Sequence, residues 1–497
     1  MNNARAAVRE AAVGISAMAC YLPRLHVDLG RWCEWTGQDW GKVGAVTGHG
    51  FRMCGPHEDV YTMAANAVLR LIIDNQLDAR RIGFLALGTE SSTDNAVGAV
   101  TVLGMVDREL RRRGWSGFAR DVEVPEFKQA CLGGLYALCG AARYVLCDPS
   151  ERQAVVVAAD IAEYERGSSG EQTQGAGAVA MLVECSPSLL VLDLANAVAA
   201  SAYRGPDFRK PTKRHYLGGY APLTERPSDF PVFSGRYSTT AYLDEVAHAV
   251  EALWSRLGVE PSAHLSGLRA LFLHRPYRHM PIRASSFLYV RALAASPSGQ
   301  AELERLCLAC GAKPGDVLEE LVSEPDLHAA ILAGDPCPDP YPATTMVSAH
   351  LRGQPAFREF TEEKLSLGSG LLDEVGNLYS ASLPAALAAG LETAVESGEE
   401  LLDAPMLAIG YGSGDAALAL PFTAVAGWQD AARRIGFAQA LQYPVSLDRE
   451  QYEALHDRGE VPGLLLHPLD QFVIDRIGTE LRRDFQDLAV AYYAYEY

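Results

Sequence analysis

Hydrophobic residues along the chain follow two alternating patterns. Short, nearly continuous apolar runs such as Ala154-Val155-Val156-Val157-Ala158 predict strands that helices cover on both faces. Longer segments, with apolar residues three and four positions apart, predict helices between these strands. This alternation indicates an α/β protein.

The two patterns predict eight strands and six helices. The strands are expected at residues 13–21, 82–88, 154–159, 176–183, 189–197, 270–274, 406–411 and near 488–495. The helices are expected at residues 60–74, 96–113, 133–146, 239–257, 371–389 and 430–439.

The predicted elements fall into two similar halves that are expected to share a site between them. The first lobe is expected at residues 1–197 and the second at 198–497. Residues 295–354 break the pattern, with helical pieces followed by a segment in which Pro336, Pro338, Pro340 and Pro342 alternate with other residues. This stretch is predicted to be a surface insertion outside the sheet framework.

The charge narrows the class of partner. The net charge is 43 − 62 = −19, which argues against nucleic acid and anionic membranes as general partners. An anionic ligand therefore needs a local basic patch. We expect no transmembrane helix and no signal peptide, and the ten scattered cysteines are typical of reduced thiols in the cytoplasm.

The segment around Cys131 carries the clearest chemistry. An acidic and aromatic run precedes this cysteine, and Gly133, Gly134 and an apolar helical pattern follow it. The thiol is therefore expected near a helix N-terminus, which would lower its pKa, with the glycines leaving room for a substrate. The alternative is a small buried cysteine of a core helix.

Cys307 and Cys310 have a spacing that metal and redox sites also use. No second cysteine pair or histidine pair accompanies them, and they share one face of a helical pattern. We therefore predict buried packing here, with a zinc site as the alternative.

Four further segments place polar groups at the ends of predicted elements. Glu90 follows a buried strand, where α/β enzymes keep their chemistry, although it could also cap a helix starting near Asp94. His274 ends another strand, and Asn377 lies at a helix start, where capping is the alternative. The Gly-rich turn at Ser413 could present backbone N–H groups to an oxyanion.

In these and neighbouring motifs the chain resembles the hydroxymethylglutaryl-CoA synthases of the thiolase superfamily. The matching stretches occur in family order: Tyr61-Thr62-Met63-Ala64-Ala65-Asn66-Ala67, Gly88-Thr89-Glu90-Ser91, Lys128-Gln129-Ala130-Cys131, Asp160-Ile161-Ala162-Glu163-Tyr164, Thr173-Gln174-Gly175-Ala176-Gly177-Ala178, Asp207-Phe208-Arg209-Lys210-Pro211, His274-Arg275-Pro276-Tyr277, Val375-Gly376-Asn377-Leu378-Tyr379 and Tyr411-Gly412-Ser413-Gly414. The resemblance implies the five-layer αβαβα thiolase fold, usually as a homodimer.

The resemblance also implies a chemistry. Cys131 would take the acetyl group of acetyl-CoA, Glu90 would remove a proton from its methyl group, and the carbanion would attack the ketone of an acetoacetyl thioester. His274 would orient that acceptor and stabilise the alkoxide, and water would release 3-hydroxy-3-methylglutaryl-CoA. No metal or redox cofactor is implied.

The remaining site residues also come from the resemblance. The substrate is expected to contact Asp160, Tyr164, Thr173, Asn377, Gly412 and Ser413, and the carrier arm to contact Lys210, Lys213 and His279.

Three positions depart from the family pattern. Leu132 replaces an aromatic residue beside the nucleophile, Ser234 replaces a carboxylate, and His279 replaces a lysine expected to hold the pantetheine arm. These departures leave two alternatives open. One is a synthase that adds a β-branch to a β-ketothioester on an acyl-carrier protein during polyketide assembly, and the other is a catalytically silent scaffold subunit.

Overall fold

The computed structural model describes residues 12–92, 96–148, 150–210, 214, 216–226 and 228–497. The strands are β1 Val13–Tyr21, β2 Leu25–Asp28, β3 Gly50–Met53, β4 Ile82–Gly88, β5 Glu126–Phe127, β6 Gln153–Ala162, β7 Gly175–Cys185, β8 Leu190–Leu192, β9 Val198–Ser201, β10 Ala270–Leu273, β11 Met406–Gly412, β12 Ala416–Ala424, β13 Val445–Ser446, β14 Gln471–Ile477, β15 Leu481–Arg482, β16 Phe485–Gln486 and β17 Ala491–Glu496.

The helices lie mainly between these strands. They are α1 Leu29–Thr36, α2 Trp40–Val46, α3 Val60–Asp74, α4 Gly98–Arg112, α5 Gly133–Cys147, α6 Gly235–Leu257, α7 Pro261–Gly267, α8 His279–Ala294, α9 Gln300–Cys310, α10 Pro314–Leu321, α11 Leu327–Leu332, α12 Pro342–Leu351, α13 Pro355–Lys364, α14 Ser369–Leu372, α15 Ser382–Ser397, α16 Trp428–Ala432, α17 Phe437–Ala440 and α18 Arg449–Arg458.

The main sheet has ten strands in the order β10-β11-β12-β8-β1-β7-β6-β4-β5, with β9 paired to β12. The pairs β4/β5, β4/β6 and β10/β11 are parallel. Strand β8 pairs with β1 on one side and with β12 on the other, and so connects the two halves of the sheet.

Alternate residues of the strands point into different cores, which explains the continuous apolar runs. Val155 and Val157 of β6 pack with the outer helices α3 and α4, whereas Val156 packs with the central helix α5. In the second half, Phe272 of β10 faces the central core that α5 shares with α15, and Leu271 faces α6 and α8. The layers run helix, sheet, helix, sheet, helix, which confirms the predicted five-layer fold.

Several predicted elements differ from the structure. The helix expected at 371–389 is α14 followed by a turn and α15, because Gly376 and Tyr379 have φ values of +74° and +43°. The helix expected at 430–439 is divided at Gly436, with φ +72°. The strand expected at 189–197 ends at Leu192, and β12 was not predicted.

Residues 295–354 contribute helices and, in the part of the chain that the structure describes, no strand. Cys307 is buried in a core that these helices share with α8, whereas Cys310 is partly exposed. The lobe boundary near residue 197 and the insertion limits stay predictions.

One helical window, residues 130–147, has the length and hydropathy of a membrane span, which the sequence was not expected to contain. In this fold the window forms the central helix α5, and 56% of it is buried. A helix in the core of a protein can have the same length and hydropathy as a membrane span.

Candidate active site

The polar groups predicted at strand ends converge on one cavity. Glu90 follows β4, Cys131 follows β5, His274 follows β10 and Ser413 follows β11. Since β4 is parallel to β5, and β10 to β11, the carboxyl ends of each pair meet at one edge of the sheet. Cys131, His274 and Ser413 line a cavity of about 280 Å³, and aromatic rings form part of its other walls. Glu90 does not line the cavity and reaches it through its hydrogen bond with Cys131.

Cys131 and Glu90 form the closest reactive pair of this site. The Cys131 Sγ donates a hydrogen bond to Glu90 Oε2 at 3.6 Å. Cys131 lies two residues before the first residue of α5, and the preceding Ala130 has φ +43°. A non-glycine residue in this region is strained, and such strain is typical of residues held in place for function.

The pKa of the Cys131 thiol is raised well above its ordinary value, so the expectation of a lowered pKa was wrong. Burial is the main cause, and the nearby carboxylates of Glu90 and Asp160 add to it. These effects outweigh the partial positive charge of the α5 N-terminus. The resting nucleophile is therefore a thiol, and it must lose its proton during attack.

Burial also raises the pKa of Glu90, to about 8. The charge of Lys210 opposes this rise, and the charge of Asp160 adds to it. A carboxyl group with a pKa near neutrality suits a general base. Residues 93–95, which contain the Asp94 of the capping alternative, lie outside the described residues.

Asp160 lies behind the catalytic cavity. It is fully buried at the end of β6 and does not line the cavity. Its Oδ1 accepts hydrogen bonds from Glu90 N and Ser91 N, each at 2.9 Å, and its Oδ2 accepts one from Ser380 N at 2.8 Å. Asp160 therefore holds the loop that carries Glu90 against the turn at Ser380.

His274 faces the cavity as a neutral imidazole. Burial lowers the pKa of His274 to about 3, well below neutrality. Its backbone is held by a hydrogen bond from His274 N to Ile409 O at 2.8 Å and by one from Tyr242 to His274 O at 2.9 Å. Among the described residues, no group bonds to its buried Nδ1. A neutral imidazole has one N–H with which to hold a substrate oxygen.

Tyr164, Thr173 and Asn377 also line the cavity. Asn377 N donates to Thr173 O at 3.1 Å, and Asn377 Oδ1 accepts from Tyr379 N at 2.9 Å. The rings of Tyr164 and Tyr379 are 6.3 Å apart and nearly perpendicular. Asn377 is therefore held in place by the turn between α14 and α15, to which it belongs.

The glycines near the nucleophile allow protein segments to approach each other. An added Cβ at Gly134 would lie 2.4 Å from Ser380 O, and one at Gly133 would lie 2.8 Å from Phe127 O. The expectation that these glycines leave room for substrate was therefore wrong. Gly412 is similar, since its Cβ would lie 2.1 Å from Gln129 O, in the loop that carries Cys131.

The three expected carrier-arm residues have different surroundings. Lys210 Nζ lies 5.4 Å from the ring centroid of Tyr379 and 3.5 Å from Asp229 Oδ2, beside the cavity. Lys213 lies outside the described residues. His279 begins α8, where burial and the charges of Arg352 and Arg283 lower its pKa.

Leu132 and Ser234, the other two residues that differ from the family pattern, do not line the cavity. Leu132 is buried in the central core, with Cδ1 directed at Gly410 of β11. Ser234 is exposed and precedes the first residue of α6 without capping it through its side chain.

Sequence reasoning missed the aromatic wall and the turn behind it. Phe208, Phe233, Tyr379 and Tyr411 line the cavity, and Ser380 bonds to Asp160. Phe208 and Tyr379 belong to motifs that carried the resemblance, but only the fold shows that they face Cys131.

The sequence model described as "Hydroxymethylglutaryl-coenzyme A synthase N terminal" matches residues 9–187. The hydroxymethylglutaryl-CoA synthase of Haloferax volcanii is 26% identical over 448 residues, covering 90% of this chain and 91% of that protein. The hydroxymethylglutaryl-CoA synthase of Enterococcus faecalis is 31% identical over 294 residues, covering 59% of this chain and 66% of that protein.

Solved structures share the fold over almost the whole chain. A structure described as MvaS in complex with 3-hydroxy-3-methylglutaryl coenzyme A has a TM-score of 0.74 and 23% identity, covering 98% of this chain and 100% of that one. The curacin pathway HMG synthase with apo donor-ACP has a TM-score of 0.68 and 18% identity, covering 97% of this chain and 100% of that one. At these identities the structures establish the thiolase-like fold. The sequence matches show that this chain belongs to the hydroxymethylglutaryl-CoA synthase family.

Proposed function

We propose that this protein is an acyltransferase that condenses an acetyl group with the ketone of an acetoacetyl thioester to give 3-hydroxy-3-methylglutaryl-CoA. The observation that carries the proposal is the contact of 3.6 Å between the Cys131 thiol and the Glu90 carboxyl group, beside a cavity that His274 also lines. A nucleophile, a base and an oxygen-binding group are the three parts that the reaction requires.

The first step forms the acetyl-enzyme. The Cys131 sulfur attacks the carbonyl carbon of acetyl-CoA, the carbon–sulfur bond to CoA breaks, and the thiol proton ends on the leaving CoA sulfur. The thiol proton can pass directly to the CoA sulfur, so in this step Glu90 only orients the thiol, which donates a hydrogen bond to it. Cys131 and Ser413 each follow a strand, and their backbone N–H groups would bind the thioester oxygen.

The second step forms the carbon–carbon bond. The ionised Glu90 removes a proton from the acetyl methyl group, and the resulting carbanion attacks the ketone of the acceptor. The neutral His274 donates its N–H to the developing alkoxide, which the proton held by Glu90 can then neutralise. Water finally cleaves the Cys131 thioester, releasing the product carboxylate and regenerating the thiol.

The steps balance without a metal or redox cofactor, so we assign none. CoA thioesters are the proposed substrates, with a carrier protein as an alternative donor of the acceptor, and the proposed assembly is a homodimer. The relative from Gallus gallus is named a cytoplasmic enzyme, and all ten cysteines of this chain are free thiols, so we propose the cytoplasm as its compartment.

Intact mass spectrometry tests the proposal. The protein is mixed with acetyl-CoA, and a gain of one acetyl group that Cys131→Ser abolishes is the expected result, since an alcohol is a far weaker nucleophile. Addition of acetoacetyl-CoA should then remove the label and yield 3-hydroxy-3-methylglutaryl-CoA. A wild-type protein that never gains the acetyl group would support the scaffold alternative.

A further inference from the structure

Two buried carboxyl groups lie behind the wall of the catalytic cavity and have no part in the reaction steps above. Asp207 follows β9 and is fully buried, and Asp415, between β11 and β12, is 4% exposed. Neither lines the cavity, but the hydroxyl group of Tyr411, which does, contacts both of them. It lies 3.1 Å from Asp207 Oδ2 and 2.9 Å from Asp415 Oδ1. A side chain of the cavity wall is therefore held from behind by two acids.

The hydrogen bonds around Tyr411 require more protons than one phenol and two carboxylates supply. A phenol has a single O–H, so it can donate a linear hydrogen bond to only one carboxylate, and its other contact would lack a proton. Asp207 Oδ1 and Asp415 Oδ2 are also buried, and within the described parts of the chain no group donates a hydrogen bond to either of them. The two side chains are close enough for a hydrogen bond to connect them. One additional proton on this pair would satisfy contacts that two carboxylates leave unsatisfied.

The charges around the pair favour the same additional proton. Within the described residues, Arg204 is the only basic side chain within 4 Å of the pair, with Nε at 3.7 Å from Asp415 Oδ2. Its guanidinium group donates instead to Asp244 and Glu245 of α6. Two adjacent buried carboxylates repel each other, so one of them gains a proton. Burial and the charge of Asp207 accordingly raise the pKa of Asp415 to about 9. The remaining titratable groups of this cluster are Tyr237, Asp244, Glu245 and His248 of α6 and Tyr341 of the insertion.

The pair is connected to the reactive groups through Tyr411. The Tyr411 ring lies 6.5 Å from the His274 ring, with 28° between their planes, and 4.6 Å from the ring of Tyr242. Tyr242 in turn donates a hydrogen bond to His274 O at 2.9 Å. Ser413 lies between Tyr411 and Asp415 in the chain. Movement of Tyr411 would therefore displace groups that are proposed to hold the substrate oxygens.

We propose that Asp207 and Asp415 share one proton and act as positioning residues, holding Tyr411 against the groups that bind the substrate oxygens. The inference rests on the proposed function, because it assigns these acids a role in that reaction. The pair carries a single negative charge, which accepts the hydrogen bond of the Tyr411 hydroxyl, and the shared proton connects the two carboxyl groups. When this proton is lost at high pH, two negative charges repel behind Tyr411, and the cavity wall loses its fixed position. Condensation should therefore slow at alkaline pH, although Glu90 is then ionised.

The test follows the pH profile of condensation in the wild type and in two variants of Asp415. In the wild type, the single-turnover rate of the acetyl-enzyme with acetoacetyl-CoA should fall above about pH 9, where the pair loses its proton. Asp415→Asn keeps a hydrogen-bonding group of the same shape that cannot ionise, so it should keep most of the wild-type rate and abolish the alkaline fall. Asp415→Ala should lower the rate at every pH by roughly tenfold to a hundredfold, because a small displacement of aligned groups has an effect of this size.

A measurement on the protein without substrate detects the proton itself. Infrared spectroscopy distinguishes a protonated carboxyl group from a carboxylate, and Asp415→Asn should remove one protonated-carboxyl band that the wild type shows at neutral pH. Tyr411→Phe should keep this band while lowering the condensation rate, because it breaks only the link between the pair and the cavity. Asp484→Asn, in the exposed turn between β15 and β16, is the same chemical change at the surface and should alter neither the spectrum nor the rate.

Three results would overturn the assignment. They are an infrared spectrum that Asp415→Asn leaves unchanged, an alkaline fall that is absent from the wild type or persists in Asp415→Asn, and a wild-type condensation rate in Asp415→Ala. Circular dichroism at each pH establishes that the proteins are folded. If Asp415→Ala does not fold, or the wild type unfolds at alkaline pH, the infrared comparison at neutral pH decides. Failure of the proposed function is distinguishable, because the wild-type protein would then fail to gain an acetyl group on Cys131, whereas the infrared band of the shared proton would remain.

Discussion

Glu90 is buried and is also the proposed base, so the rate of condensation is expected to depend on its ionisation and therefore on pH. Its pKa of about 8 means that the carboxylate, the form that accepts a proton, is the minor form at pH 7. Burial is the main cause of this raised pKa. The higher pKa also makes the ionised carboxylate a stronger base, which favours removal of the methyl proton.

We therefore predict that the condensation step accelerates as pH rises and levels off above about pH 8. Below that value the rate should rise close to tenfold per pH unit, since it follows the ionised fraction. Single-turnover reaction of the acetyl-enzyme with acetoacetyl-CoA, followed by mass spectrometry, measures this step. A rate that is already constant from pH 6 upward would contradict the assignment of Glu90 as the base.

The substitution Glu90→Ala separates the two halves of the reaction. Acetylation of Cys131 should remain, whereas condensation should fall by about 10² to 10⁴ or more, the range of general base catalysis. Equal loss in both steps would show that Glu90 supports the structure of the site.

Lys210 acts on the same pair through its charge. Its Nζ lies over the Tyr379 ring beside the cavity, and its charge lowers the pKa of both Glu90 and Cys131. This placement favours tuning of the reactive pair over contact with the carrier arm. We predict that Lys210→Met moves the pH profile of condensation to higher pH and lowers the rate at pH 7 roughly tenfold. Lys210→Arg should keep the profile, and a loss of rate without a change in the profile would indicate a role in folding alone.

At the scale of elements, the end of β11 is packed directly on the loop that carries the nucleophile. A Cβ at Gly412 would lie 2.1 Å from Gln129 O and 2.8 Å from Leu132 Cβ, both in that loop. Gly412→Ala should therefore displace Cys131, with kcat reduced at least tenfold and a loss of stability of about 1–3 kcal/mol.

The matched control for this change is Gly104→Ala in α4. A Cβ there meets nothing within 4 Å, so the change should alter stability by less than about 1 kcal/mol, in the favourable direction. Thermal unfolding and acetylation rates of both variants provide the comparison. Normal acetylation in Gly412→Ala would show that the loop adapts without cost.

At the scale of the whole molecule, the protein keeps acidic groups whose burial opposes ionisation. Burial raises the pKa of Asp415 to about 9, and the adjacent Asp207 adds to the effect. For Glu90 and Asp415 the folded pKa exceeds the unfolded one, so the stability they contribute is complete at low pH. It is lost progressively as pH rises above the ordinary pKa values of 4.5 and 3.8, and the loss is complete above about pH 8 for Glu90 and about pH 9 for Asp415.

We predict that the free energy of unfolding falls between pH 6 and pH 9.5, and that Glu90→Gln reduces this fall by on the order of 1–4 kcal/mol. The variant would then be inactive in condensation yet more stable than wild type at alkaline pH. Denaturant unfolding at several pH values measures the difference. A variant whose stability follows the wild-type curve would contradict the raised pKa of Glu90.

The local sequence pattern determined those strands and helices in which apolar residues recur at regular spacing. Strands β1 and β4 and helix α3 have the predicted bounds, because uninterrupted apolar runs and 3.6-residue spacing depend only on neighbours in the chain. The strand-end positions of Glu90, Cys131 and His274 followed for the same reason. Their chemical roles came from the family resemblance, which is also a property of sequence alone.

The tertiary structure decided what depends on distant neighbours. The break between α14 and α15 exists because the turn at Tyr379 is tied to β6 through Ser380 and Asp160. The raised pKa of Cys131 arises because burial and the carboxylate of Glu90 outweigh its own helix terminus. A cavity of about 470 Å³ lies between α6, α8 and the insertion, and only folding brings the residues of these segments together. Desolvation and contacts between remote segments are properties of the folded chain, and no local pattern contains them.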